Sequence, residues 1–202
     1  MVELNESWLP GFGEIVTWFA MDRHGRIAVM VNNCFGVLPK ALLRTIDIEK
    51  GLDQLSEYMW GESDEFLSVP ENKMGKTKLD CYSAIVYRDA VSRHEVEQLV
   101  LEGSVSDLKV IEYSLPSVRG YFVYHAVEGA EEGQDYPVGY EGSSKNGDYF
   151  RYLVPTVYAG VEDFPLALRR FIVFSDKVDF EEDRLFESER VDELFVEMYS
   201  AK

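Results

Sequence analysis

The most regular hydrophobic pattern of the chain lies between residues 14 and 33. Two runs rich in β-branched and aromatic residues, EIVTWFAMD and RIAVMVNN, flank the turn sequence Asp22-Arg-His-Gly25. Glycine suits the left-handed position of such a turn, so the segment predicts a β-hairpin. Both faces of the first strand are largely apolar, and we therefore expect this strand to lie in the interior of a sheet.

Helical periodicity is clearest from residue 48 to 60, where apolar residues recur at spacings of three and four. Asp47 precedes this run as a candidate N-cap and Gly61 follows it as a candidate C-cap. Four shorter helices are predicted after Pro39 (KALLRTI), from Ser92 to Gly103 with a Ser92/Glu95 capping box, from Pro165 to Phe171, and from Ser188 through Met198.

Further strands are predicted in four apolar runs: CYSAIVYRD (81–89), DLKVIEYSL (107–115), GYFVYHAV (120–127) and YFRYLVPTV (149–157). Periodicity alone leaves the middle of a buried helix open as an alternative for 81–89. Residues 62–78 and 128–147 are typical of long loops. With 202 residues the chain can bury about 70% of its unfolded surface. We expect a single α+β domain, with a mainly antiparallel sheet and several packed helices.

The N-terminal sequence MVELNESWLPGFGE lacks the basic start and apolar run of a secretory signal. No stretch approaches the roughly 20 apolar residues of a membrane helix. Cys34 and Cys81 are the two cysteines, which is too few for the disulfide framework of a secreted domain. These features predict a cytoplasmic protein with free thiols and no membrane partner.

Charge is the strongest compositional signal, because 37 acidic residues outweigh 20 basic ones for a formal net charge of −17. Such a surface repels nucleic acid and anionic lipid, so neither is expected as a direct partner. A basic protein is the natural complement. The densest acidic stretch runs from Asp176 to Glu197, and it is interpreted either as an ordinary solvated surface or as a docking surface for a cationic partner.

The sequence contains no recognisable catalytic, metal-binding or phosphate-binding motif. His24, His94 and His125 have no metal-binding spacing, and no phosphate-binding glycine loop is present. We therefore predict no catalytic residue, no cofactor and no metal ligand. A Cys34–His nucleophile pair brought together by the fold stays open, and a concave site around Cys34 or His125 would favour an enzyme.

Two segments resemble the immunity proteins of bacterial polymorphic or contact-delivered toxin systems. One is the hairpin Trp18-Phe-Ala-Met-Asp22 to Gly25-Arg-Ile-Ala-Val-Met, followed by the Pro39 segment. The other is Tyr149-Phe-Arg-Tyr-Leu-Val-Pro155, which leads into Glu162-Asp-Phe-Pro165 and a helix. The resemblance implies a protein that neutralises a cognate toxin. It assigns no site residue.

Charge and resemblance together predict an acidic module that occludes the active cleft of a basic, nuclease-type toxin. Its carboxylates would pair with toxin Lys and Arg, and tyrosines would serve as aromatic anchors. The candidate contact residues are Glu131, Glu132, Asp135, Tyr136, Tyr140, Asp179, Glu181, Glu182 and Asp183. A regulatory adaptor for another basic protein and an enzyme of unrecognised type are the alternatives.

Overall fold

A computed structural model describes residues 3–68, 70–102 and 110–200. Its main sheet has eight strands: β1 Thr17–Met21, β2 Ile27–Val31, β3 Thr77–Leu79, β5 Phe122–Ala126, β7 Tyr149–Pro155, β8 Val173–Phe174, β9 Leu185–Phe186 and β10 Glu197–Met198. The strand order is β10-β8-β1-β2-β5-β7-β3, and β9 also pairs with β7. A small second sheet pairs β4 (Tyr82–Ser83) with β6 (Pro137–Val138).

Six α-helices pack around the main sheet in the described ranges: α1 Lys40–Leu43, α2 Ile48–Trp60, α3 Arg93–Glu102, α4 Leu115–Val118, α5 Leu166–Arg169 and α6 Val191–Leu194. Three 3₁₀ turns occur at Glu112–Ser114, Val161–Asp163 and Ser188–Arg190. Most strand pairs are antiparallel, and β1–β8 and β2–β5 are parallel. The α+β prediction is confirmed.

The predicted hairpin is confirmed as β1 and β2, with Thr17 opposite Val31 and Met21 opposite Ile27. Gly25 has φ +81°, the left-handed conformation that its place in the turn requires. As the apolar pattern of both faces predicts, β1 lies between β2 and β8 in the interior of the sheet.

Helix α2 begins at Ile48 and ends at Trp60, the bounds that the periodicity predicts. Gly61 closes it in the left-handed conformation. Asp47 occupies the N-cap position, but its side chain makes no capping hydrogen bond because its backbone is itself left-handed, at φ 60°. At α3, Ser92 Oγ accepts a hydrogen bond from Glu95 N at 3.2 Å, and the predicted end at Gly103 lies outside the described residues.

Several predicted elements are wrong. Residues 81–89 contain only the two-residue β4, followed by turns, and the described part of 107–115 forms a 3₁₀ turn and the start of α4. Ser114 Oγ bonds both the N–H and the C=O of Ile111 at 2.9 Å, which closes a local turn in place of a strand ladder. Residues 107–109 lie outside the described ranges.

The two predicted C-terminal helices are shorter than their patterns suggest. The first, α5, ends at Arg169, and the last, α6, ends at Leu194, after which Glu197 and Met198 add a strand to the sheet. Both predicted loops also contain strand residues, because Thr77 begins β3 and 128–147 includes β6. These helices and loops end where the chain pairs with strands that are distant in sequence. Local periodicity carries no information about such pairing.

Buried side chains form one continuous core on both faces of the main sheet. On one face Phe19 contacts Phe164, which also packs against Tyr58 of α2. On the opposite face Trp18 makes edge contacts with Tyr149 and Phe195. Helix α2 therefore covers the Phe19 face. Within the described ranges, no helix has the length and apolar content needed to cross a bilayer.

Candidate protein-docking groove

A groove with a cavity volume of ≈ 580 Å³ separates α2 from the segment that leads into β1. Its apolar lining comes from Leu4, Trp8, Ile15, Val16 and Leu52. Three carboxylates also line it: Glu14 on the N-terminal side, and Glu49 and Asp53 on α2. We call this feature the α2 groove. It combines an apolar floor with an acidic rim.

The N-terminal wall of the α2 groove is held to the rest of the fold at both ends. Near its start, the backbone N–H of Leu4 donates to the Glu49 carboxylate of α2. Near its end, the backbone N–H of Val16 donates to Asn32 Oδ1 at 2.7 Å. Between these ties the indole of Trp8 is buried, with 6% of the residue exposed. The groove is therefore formed before any partner arrives.

Three large apolar side chains on this wall point into solvent. Leu9 is 76% exposed, Phe12 is 99% exposed and Ile15 is 66% exposed. Single exposed apolar residues are ordinary, but three within seven positions beside a groove form a patch of the kind that marks interaction sites. The patch places an aromatic ring next to the acidic rim.

Exposed carboxylates concentrate on α2 and the turn after it. Residues 47–65 contain seven acidic side chains and the single basic residue Lys50. Six of the seven are exposed, and Glu49 is half-buried. None of the seven makes an ion pair with a residue in the described ranges. Their charge is free to attract a cationic partner.

The acidic C-terminal stretch is different, because much of its charge is neutralised inside the fold. Asp179 is buried, and its carboxylate lies 2.8 Å from both Arg23 and Arg26 and 3.1 Å from His24. Glu181 pairs with Arg26 and accepts a hydrogen bond from the Tyr158 hydroxyl. These residues join the β1–β2 turn to the segment before β9.

The other two predicted contact residues in the C-terminal stretch are Asp183 and Glu182. Asp183 is half-buried, and its carboxylate accepts a hydrogen bond from the backbone N–H of Asp179 at 2.8 Å. Glu182 is exposed and makes no ion pair within the described part of the chain. Of the four predicted residues in this stretch, only Glu182 is thus both exposed and unpaired.

The predicted contacts in the 128–140 region are also divided. Asp135 is buried, and its carboxylate accepts hydrogen bonds from Ser83 Oγ at 2.8 Å and Ile85 N at 3.1 Å. Tyr140 is half-buried, with the Arg184 guanidinium 6.0 Å from its ring centre. Glu131, Glu132 and Tyr136 are exposed and free to touch a partner.

Sequence reasoning missed the α2 groove, although two signals point to it. Phe12 lies between Gly11 and Gly13 in a short segment with little secondary-structure propensity, where an aromatic residue has no core face to join. The charged residues of α2 are Glu49, Asp53 and Glu57 against the single base Lys50. A comparison of net charge between predicted helix faces would have identified α2 as a second acidic surface, apart from the C-terminal stretch.

A second, smaller pocket of ≈ 170 Å³ lies around His125. His125 Nε2 pairs with the carboxylate of Glu112, and the hydroxyls of Tyr87 and Tyr152 hydrogen-bond each other. Burial acts to raise the pKa of Glu112, but the charge and hydrogen bond of His125 outweigh it and lower that pKa. Cys34 is half-buried and does not line this pocket. Among the described residues, no cluster of His, Cys, Asp and Glu side chains could hold a metal ion.

Comparisons with models of known protein families, with curated proteins and with solved structures give no match to this chain.

Proposed function

We propose that this chain is an acidic protein-binding module that docks a basic partner protein in the α2 groove. The observation that carries the proposal is the combination of an exposed apolar patch with carboxylates that make no ion pair with any described residue. Specific interfaces have an apolar centre and a polar rim, and charge complementarity around that centre raises the association rate. Phe12, beside the groove, supplies the exposed apolar contact, and Glu14, Glu49 and Asp53 supply the rim.

The partner class we favour is a toxin that cleaves nucleic acid, as the resemblance to immunity proteins implies. Such an enzyme must attract polyanionic substrate, so its cleft is basic. An acidic module seated in that cleft blocks it sterically and electrostatically, and long-range attraction raises its association rate by about 10–10³-fold. This role places the module in the cytoplasm. Glu131, Glu132, Tyr136 and Glu182 are exposed and serve as candidates for additional contacts.

A regulatory adaptor for another basic protein would use the same surface. The two roles differ in how loss of the module affects growth. For an immunity protein, deletion of the gene inhibits growth only when a neighbouring toxin gene is intact. For an adaptor, the growth effect is independent of any such neighbour. The deletion, made in both backgrounds, separates them.

Catalysis in the pocket around His125 is the second candidate, because this pocket gathers titratable side chains. The contacts favour binding over nucleophilic chemistry. His125 is engaged with Glu112, and Ser83 Oγ donates to the Asp135 carboxylate rather than to a base that could activate it. Burial raises the pKa of Tyr87 and of Tyr152, so both phenols stay protonated. No described residue of the pocket forms the nucleophile–base pair that acyl transfer needs.

Isothermal titration calorimetry of the purified module with its copurified partner at several salt concentrations tests the proposed function. Between about 50 and 200 mM salt we expect affinity to fall at least about threefold, because exposed charge pairs are screened beyond about 8–10 Å. The partner should have a basic isoelectric point. An affinity that does not respond to salt, or an acidic partner, would contradict the proposal.

A further inference from the structure

The pocket around His125 has the composition of a site for an organic cation. Aromatic rings of Tyr87, Tyr113, Phe150 and Tyr152 line it beside the imidazole of His125. The faces of aromatic rings attract cations through their quadrupole, and this attraction grows when the cation is desolvated. The volume of ≈ 170 Å³ suits one side chain and is smaller than the roughly 300–1,000 Å³ of drug-sized ligand pockets.

A carboxylate without a partner completes the pocket. Glu128 is half-buried, and its carboxylate makes no hydrogen bond or ion pair with any residue in the described ranges. Burial raises the pKa of Glu128 and the nearby charge of Asp135 raises it further, while the charge of His125 lowers it by less. The other pocket carboxylate, Glu112, is already paired with His125. Glu128 is thus the group whose unfavourable environment an incoming positive charge would relieve.

The rings favour a compact cationic head. Tyr113 and Tyr152 meet at an interplanar angle of 77°, and His125 and Tyr152 meet at 42°. Non-parallel walls do not form the flat slot that stacks a planar guanidinium, which also seeks a bidentate carboxylate. An alkylammonium is a compact point charge on a flexible apolar stem, and it can meet rings and a single carboxylate from several directions.

The sheet register places this pocket beside the α2 groove. Thr17 pairs with Val31, and Val31 pairs with His125, so the three side chains share one face. This is the face covered by α2, because Phe19, two positions beyond Thr17, packs on that side. Thr17 lines the groove and His125 lines the pocket, and two strand spacings of about 4.8 Å separate β1 from β5.

We infer that the His125 pocket receives a lysine side chain of the same basic partner, with Glu128 as counter-ion and the surrounding tyrosines as its walls. The inference rests on the proposed function, because it identifies a contact of that partner. A standard interface covers about 800 Å² on each protein, which is enough to span sites on strands that lie about 10 Å apart. The groove then holds the apolar part of the interface, and the pocket fixes the position of the partner on this surface.

Butylammonium chloride, which reproduces the lysine side chain, tests the pocket without the partner. Titrated at constant ionic strength into the labelled protein, it should cause saturable NMR shifts of the His125 and Tyr152 ring signals. We expect a dissociation constant on the order of 1–10 mM for a ligand this small. Butan-1-ol has the same shape without the charge, and it should give no saturable shift. Equal shifts with the alcohol would overturn the inference.

Amino-acid substitutions test whether the Glu128 carboxylate binds butylammonium. Glu128→Gln keeps the shape of the side chain and should weaken butylammonium binding at least about tenfold. Glu141→Gln, at an exposed carboxylate of the same 128–147 segment, is the matched control and should leave binding unchanged. Tyr113→Leu provides a second route should Glu128→Gln fail to fold. Unchanged binding in a folded Glu128→Gln or Tyr113→Leu variant would refute the assignment.

A capped peptide, acetyl-Gly-Gly-Lys-Gly-Gly-amide, separates a lysine side chain from a free amine. Shifts of the same signals by the peptide support the inference. Binding of butylammonium with exclusion of the peptide would overturn it in favour of a small free amine. A basic partner that binds the native protein and Glu128→Gln with equal affinity would also overturn it, while the proposed function would stand.

Discussion

Arg26 Nη1 lies 2.8 Å from Asp179 Oδ1, across 153 positions of sequence. The contact joins the β1–β2 turn to the segment before β9, and Arg23 binds the other oxygen of the same carboxylate at 2.8 Å. The most acidic stretch of the chain thus contains a carboxylate that the fold itself uses. This residue stabilises the tertiary structure and is not available to a partner.

Replacement of Asp179 with Asn should lower the free energy of unfolding by about 1–3 kcal/mol, because two arginines lose a charged hydrogen-bond acceptor in a largely buried setting. Glu182→Gln is the matched control, since Glu182 is exposed and makes no ion pair in the described ranges. Its effect should stay within about 0.5 kcal/mol. Urea denaturation of both variants measures the difference, and equal stabilities would contradict this role of Asp179.

The same ion pairs predict a dependence of stability on pH. Burial acts to raise the pKa of Asp179, but the N–H of Glu181 and the charges of Arg23 and Arg26 outweigh it and lower the pKa. A lowered folded-state pKa contributes stability above the unfolded value of about 3.9, and that contribution is lost as pH falls through the folded-state pKa. The stability gap between native protein and Asp179→Asn should therefore be full at about pH 7 and shrink below about pH 4. A gap that persists at about pH 2 would contradict this.

Particular elements and residues of this fold show which features a sequence can predict. The β1–β2 hairpin and α2 follow from local periodicity and turn residues, and both are confirmed. The roles of Asp135 and Asp179 could not be predicted, because their hydrogen-bond partners are distant in sequence and a charge run looks the same whether its members are exposed or buried. The two-residue strands β8, β9 and β10 are likewise fixed by pairing with distant strands, which leaves no local period to recognise.

Gly51 in α2 provides a test of the packing between this helix and Phe171, which follows α5. Alanine normally stabilises a helix interior by about 1 kcal/mol relative to glycine. Here a Cβ at position 51 would lie 2.6 Å from Cε1 of Phe171, so the ring must move. We expect Gly51→Ala to destabilise the protein by about 1–2 kcal/mol, measured by thermal or urea unfolding. Phe171→Leu in the same background should recover part of the loss, and a stabilised Gly51→Ala would refute this packing.

Charge reversal distinguishes the α2 surface from the C-terminal stretch as the docking face. Glu57 and Glu187 are both exposed and make no ion pair within the described ranges. At low salt, Glu57→Lys should weaken partner binding about tenfold, mostly through a slower association rate. Glu187→Lys should change it less than about twofold. Stopped-flow association with the purified partner measures both, and the opposite ranking would place the interface on the C-terminal stretch.

Phe12, in the exposed patch beside the α2 groove, should be the principal apolar contact with the partner. Phe12→Ser removes a ring that is 99% exposed, so the melting temperature should stay unchanged. Partner affinity should fall by about 2 kcal/mol or more, which is about 30-fold, as for an aromatic residue at the centre of an interface. Leu166→Ser, at a residue that is 69% exposed on α5, is the control and should leave affinity intact. If both changes lower partner affinity equally, Phe12 is not a specific contact of the interface.

The most direct test of docking in the α2 groove is site-specific photo-crosslinking in the native cell. A benzoylphenylalanine at position 12 replaces one exposed aromatic ring with another, and the same group at position 166 serves as the control. We predict that position 12 crosslinks a protein of basic isoelectric point and that position 166 does not. Crosslinking of that protein from position 166 but not from position 12, or an acidic partner at position 12, would contradict docking in this groove.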